Sequence, residues 1–207
     1  MNLSVFLAMK KINIKLNKIT EEDYILIINY FKQGKIVVYP TDTIYGLGCL
    51  ATDKKAIEKI YRMKKRAKNK PLLILASSLS MLKKYCYVNK PRNDFLKKLW
   101  LENKKPVSAV LKSKKILPET LTAGQDSIAV RLPRNDFLIK IIKKIGAPIV
   151  STSLNKSGEE PKKDVGDLEK YFDREKPDLV VDAGILKGKP SKLVDIREMG
   201  NIKILRK

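Results

Sequence analysis

The chain has 207 residues, and its 44 lysine and arginine residues against 22 aspartate and glutamate residues give a formal net charge of +22. This excess favours anionic partners such as nucleotides, phosphates or RNA, and a lysine-rich surface that serves only solvation is an equal alternative. There is no histidine, which excludes a Ser-His-Asp triad, a histidine general base and a histidine-ligated metal. Two cysteines are too few for a disulfide scaffold, so a cytoplasmic location is expected.

Length and hydropathy predict one domain over residues 1–207 that does not enter a membrane. A chain of this length suits a single α/β domain, and no apolar run is long enough to cross a bilayer. Residues 1–10 are interpreted as an N-terminal extension. Met9, which directly precedes Lys10 and Lys11, is an alternative start.

The hydrophobic period alternates between strand-like and helix-like segments, which predicts an α/β fold. In chain order, strands are predicted near residues 12–16, 36–39, 72–76, 107–111, 128–132, 148–150, 179–181, 193–196 and 202–205. Helices are predicted from a Thr20–Asp23 capping box to Phe31, after Asp53, and near 79–85, 94–101, 136–145 and 168–172. The last strands follow one another too closely for intervening helices, so the sheet is predicted to be mixed.

Polar residues follow the strand near 36–39, in the segment Tyr39-Pro-Thr-Asp-Thr-Ile-Tyr-Gly-Leu-Gly48. Ligands of open α/β sheets bind at strand ends, where the hydroxyl of Thr43 could orient a polar substrate. Gly46 and Gly48 would let backbone approach a ligand closely. A simple loop with a turn at Pro40 explains the same residues.

Three cations follow the next predicted helix. Lys64 falls near the end of that helix, Arg66 lies in the loop beyond it, and Lys70 comes shortly afterwards. Such cations can grip a polyphosphate, and Arg66 can do so through a bidentate fork. The alternative is a basic last turn that complements the helix dipole.

Two later segments also combine a buried strand with polar groups. Arg131 interrupts an apolar strand and therefore needs an anion, which is either a ligand or a structural carboxylate. The segment Ser151-Thr-Ser-Leu-Asn-Lys-Ser-Gly158 follows another apolar strand. Its hydroxyls suit nucleotide or carboxylate contacts, and a plain surface loop is the competing interpretation.

Taken in order, five segments resemble the YrdC-like family from about Gly34 to Arg206. They are strand-PTDT-IYGLG, K-x-R with a downstream K-P-L, A-V-R-x-P, S-x-N-x-S-G, and P-S-x-x-V-D. The resemblance implies a twisted, open, mixed α/β sheet with flanking helices and a basic concave groove. It also implies a nucleotidyltransferase that makes L-threonylcarbamoyladenylate from L-threonine, bicarbonate and ATP and releases pyrophosphate. Other, threonylcarbamoyl-transferring proteins would then use the product to modify tRNA position 37.

The resemblance assigns roles to residues at matching positions. The implied catalytic residues, which grip the phosphates, are Lys64 and Arg66. The implied ATP contacts are Arg66, Lys70, Ser127, Ser153, Asn155 and Arg206. The implied threonine contacts are Thr43, Arg131, Ser151 and Ser191. No dedicated metal site is implied, because Mg²⁺ would arrive on the ATP phosphates.

Departures from the family pattern at Leu75, Ser108, Leu154 and Lys192 bear on amino-acid specificity. The rival function is a non-catalytic module that binds tRNA, rRNA or double-stranded RNA through the basic groove. Aromatic residues make up only 7% of the chain, which disfavours a base-stacking platform. A third interpretation is a carbamoylating domain of the hydrogenase-maturation kind, although the acylphosphatase and zinc-finger parts are missing.

Overall fold

The computed structural model describes residues 9–102, 105–173 and 175–207, so most of the predicted N-terminal extension lies outside the described residues. In these ranges the strands are β1 (Lys10–Asn13), β2 (Val37–Tyr39), β3 (Gly46–Gly48), β4 (Leu73–Leu75), β5 (Val107–Lys112), β6 (Ser127–Arg131), β7 (Ile149–Ser153), β8 (Leu179–Asp182), β9 (Lys192–Asp195) and β10 (Lys203–Arg206). The helices are α1 (Glu21–Lys32), α2 (Lys54–Met63), α3 (Leu79–Tyr85), α4 (Lys90–Lys97), α5 (Glu119–Thr122), α6 (Asp136–Ile145) and α7 (Leu168–Tyr171), and a π-helical turn spans Lys98–Glu102. No helix of these ranges is both long and apolar enough to cross a membrane.

All ten strands belong to one open sheet, in the order β1-β8-β2-β3-β7-β4-β6-β5-β9-β10. The pairs β1–β8, β8–β2, β4–β6 and β5–β9 are parallel, and the other five neighbouring pairs are antiparallel. The prediction of a mixed sheet is therefore confirmed.

Both faces of the sheet are covered, because successive strand residues point to opposite sides. On β2, Val37 and Tyr39 pack with Phe31 of α1 and Ile141 of α6 in one buried cluster. The intervening Val38 belongs to a second, larger cluster that includes residues of α2. Central strands buried on both faces read as continuous apolar runs in the sequence, which is why they were predictable.

Helix ends follow the predicted capping chemistry. Thr20 and Asp23 form the reciprocal capping box of α1, and the Asp53 side chain accepts from the Ala56 amide at the start of α2. The predicted helix over 94–101 is wrong at its start. It begins at Lys90, because Asn89 caps it and a proline occupies its first turn.

The predicted loop after Pro40 is shorter than expected, because Gly46–Gly48 form strand β3 between β2 and β7. A Cβ atom on Gly48 would lie 2.0 Å from the Val150 carbonyl oxygen and 2.9 Å from the Tyr39 hydroxyl. The glycine therefore admits the protein's own backbone rather than a ligand. β7 likewise extends to Ser153, so Ser151 and Ser153 lie on a strand and not in the predicted loop.

We expect Gly48→Ala to lower the free energy of unfolding by about 1–3 kcal/mol, because the new methyl group has no room against backbone. Urea denaturation measures the change. Gly166→Ala is the matched control, since its Cβ would meet only the Asp164 carboxylate oxygen at 3.5 Å. Equal stability of the two variants would contradict the tight approach of β3 to β7.

Candidate active site

A cavity of about 520 Å³ opens where the central strands and their following loops meet. Nine of the eleven predicted site residues line it, namely Thr43, Arg66, Lys70, Ser127, Arg131, Ser151, Ser153, Ser191 and Arg206. They come from segments far apart in sequence, which the strand order places side by side. Lys64 and Asn155 are both buried and are not part of the lining.

The first wall of the cavity is the turn that precedes β3. The Thr41 hydroxyl accepts from the backbone amides of Thr43 and Ile44, at 3.0 and 3.2 Å, and donates to the Ile44 carbonyl at 2.6 Å. It also lies 2.8 Å from the Thr43 hydroxyl. Thr41 thereby fixes the turn in one conformation and orients the neighbouring hydroxyl.

Arg131, at the end of β6, has the structural carboxylate that the sequence suggested as one of two alternatives, and the alternative of a bound anion stays a prediction. Its Nη2 lies 2.6 Å from Asp42 Oδ1, and its Nη1 donates to the Thr43 hydroxyl at 3.0 Å. The side chain is almost fully buried, and neither Nε nor Nη2 makes a hydrogen bond of good geometry among the described residues, so the contact of Nη2 with Asp42 is an ion pair by distance alone. A buried cation with donor capacity left over suits a small anionic group in the cavity.

Ser191 and Arg206, from the C-terminal part of the chain, form a second wall of the cavity. The Ser191 hydroxyl lies 2.8 Å from the Ser108 hydroxyl. The backbone carbonyl of Ser191 accepts a hydrogen bond from Arg206 Nε at 2.9 Å. Burial and, secondarily, the charge of Arg131 lower the pKa of Arg206. Arg206 therefore sits beside Ser191 and within electrostatic reach of Arg131, two of the four residues that the resemblance assigned to threonine, although it was itself assigned to ATP.

Arg66 points toward the cavity because of an unusual backbone conformation just before it. Lys65 adopts a left-handed conformation with φ of 49° immediately after α2. Two backbone carbonyls then hold the guanidinium, with Nε donating to Lys70 at 3.0 Å and Nη2 to Pro71 at 2.8 Å. Burial lowers the pKa of Arg66. No carboxylate within the described ranges pairs with it, so its charge remains available to an anion.

Lys64 turns inward instead. Its ammonium donates to the carbonyls of Ser153 and Asn155, both at 2.5 Å, and to Asn155 Oδ1 at 2.9 Å. Asn155 Oδ1 also accepts from the Ser153 hydroxyl at 2.6 Å. Burial, followed by the charge of Arg66, lowers the pKa of Lys64 to about 7. In this conformation the Lys64 nitrogen faces three loop oxygens and lies outside the cavity lining, and its phosphate contact stays a prediction.

Several lining residues were not among the predicted site residues, including Thr41, Tyr45, Asn69, Gln125, Asp195 and Arg197. Thr41 and Asp195 lie inside the motifs already singled out, so their positions carried a usable signal. Tyr45 is fully buried, and its hydroxyl bonds to residues 183 and 184. Nothing in the local sequence indicates that distant contact.

No group of three or more carboxylate or cysteine side chains is placed to bind a metal in the part of the chain that the structure describes. The lining nevertheless carries five cations, Arg66, Lys70, Arg131, Arg197 and Arg206, against the single carboxylate of Asp195. Asp195 is itself paired with Arg197 at 2.7 Å. The net charge of the cavity is thus strongly positive, which suits polyanionic ligands.

Known proteins share both the sequence pattern and the fold. The family model Sua5/YciO/YrdC, described as telomere recombination, matches residues 29–207. Threonylcarbamoyl-AMP synthase of Wigglesworthia glossinidia brevipalpis is 33% identical over 87% of this chain and 91% of its own length.

Two solved structures extend the comparison. Sua5 of P. abyssi, complexed with L-threonine, has a TM-score of 0.83 and 27% identity over 96% of this chain, which spans 57% of that protein. YciO of E. coli has a TM-score of 0.82 and covers 97% of this chain and 95% of its own, at 24% identity, and supports the fold alone. By its matched family model and its mixed ten-stranded sheet, this chain belongs to the Sua5/YciO/YrdC family.

Proposed function

We propose that this chain makes L-threonylcarbamoyladenylate from L-threonine, bicarbonate and ATP and releases pyrophosphate. The observation that carries the proposal is the single cavity that combines unneutralised arginines with a hydroxyl-rich, Arg131-containing wall. The reaction needs both features, because one substrate is a polyphosphate and the other is an amino acid with a carboxylate. Relatives that bear the synthase name over most of their length support it.

The chemistry brings like charges together. The threonine amine adds to bicarbonate with loss of water and gives a carbamate. One carbamate oxygen then attacks the α-phosphorus of ATP, the bond from that phosphorus to the bridging oxygen breaks, and pyrophosphate leaves. Attacking group and target are both anionic, so the protein accelerates the step by positioning the reactants and by offsetting their repulsion.

Arg66 is the proposed grip on the phosphates. Carbonyl acceptors hold two of its nitrogens, and its further polar neighbour is the uncharged hydroxyl of Tyr61. An arginine anchored in this way is preorganised, so little conformational entropy is lost when it binds phosphate. Lys70, Ser127 and Ser153 line the same cavity and are the further proposed ATP contacts.

Lys64 and Asn155 act one layer behind the cavity. The Lys64 ammonium joins the end of α2 to the Ser153–Asn155 loop, and the Ser157 amide donates to the Lys64 carbonyl at 2.8 Å. The two motifs that face the phosphates are therefore locked to each other. Because its nitrogen already faces three oxygens of the protein and does not line the cavity, we assign Lys64 to positioning and not to proton abstraction from the threonine amine.

Thr43, Arg131, Ser151 and Ser191 are the proposed threonine contacts. Arg131 Nε supplies the unused buried donor that a carboxylate would satisfy. Mg²⁺ is proposed to enter on the ATP phosphates, where it would neutralise charge. Both cysteines are buried and unpaired, which supports the expected cytoplasmic location, where other proteins would transfer the threonylcarbamoyl group to tRNA.

The test is pyrophosphate release from ATP and Mg²⁺, with and without L-threonine and bicarbonate. We expect Arg66→Ala to lower kcat about 100- to 1,000-fold, because a preorganised cation is lost from the phosphates. Arg62→Ala is the matched control, since Arg62 lies on α2, is exposed and pairs with Glu175. Release that is independent of threonine, or an equal loss in both variants, would contradict the proposal.

The same assay separates the rival function. A non-catalytic RNA module would release no pyrophosphate and would bind tRNA with an affinity that falls steeply with salt and ignores threonine. The +22 charge is compatible with tRNA contact, so binding of tRNA alone does not decide between the two. Turnover that depends on both L-threonine and bicarbonate distinguishes the enzyme from the RNA-binding module.

The lowered pKa of Lys64 predicts how the free energy of unfolding depends on pH. This pKa is about 7 in the folded chain and about 10.4 when unfolded, so between these values only the unfolded chain holds the proton. Raising the pH there stabilises the folded state. The difference in free energy of unfolding, wild type minus Lys64→Met, should grow by up to about 1.4 kcal/mol per pH unit between about pH 7.5 and about pH 9.5. Urea titrations at several pH values measure it, and a constant difference would show that the loop oxygens keep Lys64 charged.

A further inference from the structure

Residues 184–189 form an extended segment, here called the strap, between β8 and β9. Six strands separate β8 from β9 in the sheet, which is seven strand spacings, or about 34 Å for a flat sheet. The ten residue steps from Asp182 to Lys192 reach at most about 36 Å. The strap therefore crosses the ends of the strands that build the cavity, with a bend at its start where Gly184 adopts a φ of 78°.

Contacts along its course hold the strap down. At its start, the Tyr45 hydroxyl donates to the Gly184 carbonyl at 2.7 Å and accepts from the Ala183 amide at 2.8 Å. Midway, the Leu186 amide donates to the Lys163 carbonyl at 2.8 Å. Just beyond its end, Ser191 is bound by Arg206 and lies against Ser108. These anchors leave the strap one path past the cavity.

On that path the strap presses on Thr43. A Cβ atom on Gly188 would lie 1.8 Å from the Thr43 carbonyl oxygen and 2.6 Å from its carbonyl carbon. The backbone of Gly188 thus lies directly on the backbone of Thr43, while the Thr43 hydroxyl accepts a hydrogen bond from Arg131 Nη1 at 3.0 Å. Thr43 is clamped between the strap and Arg131.

We propose that Gly188 is a positioning residue for the amino-acid substrate, because its missing side chain lets the strap hold Thr43 in register with Arg131. This inference rests on the proposed function, in which Thr43 and Arg131 bind threonine. Arg66 and the Ser153–Asn155 segment are organised separately, by carbonyls 70 and 71 and by Lys64, whereas Arg206 is held by Ser191 beyond the strap. A disturbance at Gly188 should therefore affect threonine much more than ATP.

The test is steady-state pyrophosphate release by the full chain, with each substrate varied in turn. We expect Gly188→Ala to raise KM for L-threonine at least about tenfold, because displacing a substrate-contacting group by a fraction of an ångström is costly, and to change KM for ATP less than about twofold. Gly200→Ala is the matched control, since its Cβ would meet nothing within 4 Å. Calorimetric binding of L-threonine to the same proteins should show the same ranking.

Tyr45→Phe is a second variant, which introduces no steric clash. Its KM values test the inference even if Gly188→Ala does not fold. Tyr45→Phe releases the start of the strap and should raise KM for L-threonine about threefold, with KM for ATP again unchanged. Equal threonine KM values in wild type, Gly188→Ala and Tyr45→Phe would overturn the inference, as would parallel increases for both substrates. A wild-type chain without threonine-dependent release would instead overturn the proposed function itself.

Discussion

The close approach of β3 to β7 is the constraint on which the site depends. With no side chain at Gly48, the β3 backbone lies against the Val150 carbonyl, and this contact joins the two halves of the sheet. The threonine-rich turn that precedes β3 is thereby brought beside Ser151 and Ser153 of β7. A wider separation at this point would divide the cavity into two unrelated surfaces.

The cavity keeps a net positive charge because two of its cations, Arg66 and Arg206, are held by neutral oxygens, whereas Arg131 and Arg197 are paired with carboxylates. Arg66 is anchored by backbone carbonyls, and Arg206 by the carbonyl and hydroxyl of Ser191. Lys64, behind the lining, is satisfied by loop oxygens. Carboxylate partners would have cancelled these charges, whereas carbonyls orient them and leave the field intact. Arg131 differs from these cations, because Asp42 pairs with it and offsets its charge. Its unused N–H donor can then orient a ligand but adds little net charge to the cavity.

The four departures from the family pattern lie at positions where the structure accommodates the changed side chain. Ser108 retains the hydroxyl that meets Ser191 at 2.8 Å. Leu75 and Leu154 are buried, so they contribute to packing rather than to the surface of the cavity. Lys192 begins β9 and is only partly buried. None of these four side chains is part of the cavity lining, and we expect threonine specificity to follow from the strap and Arg131 more than from these four positions.

The sequence by itself determined the mixed α/β class, most strand positions and the capping box of α1, because these depend on local periodicity and capping chemistry. The nine cavity-lining residues were named through the resemblance of its short motifs to the YrdC-like family. The sequence could not place β3, since a three-residue strand with two glycines resembles a loop until its neighbours are known. It also could not show that Lys64 faces inward or that Gly188 lies on Thr43. Lys64 and its nearest loop partner, Ser153, are 89 positions apart in sequence, and Gly188 and Thr43 are about 145 positions apart. Only the order of strands in the folded sheet decides which of such distant groups meet.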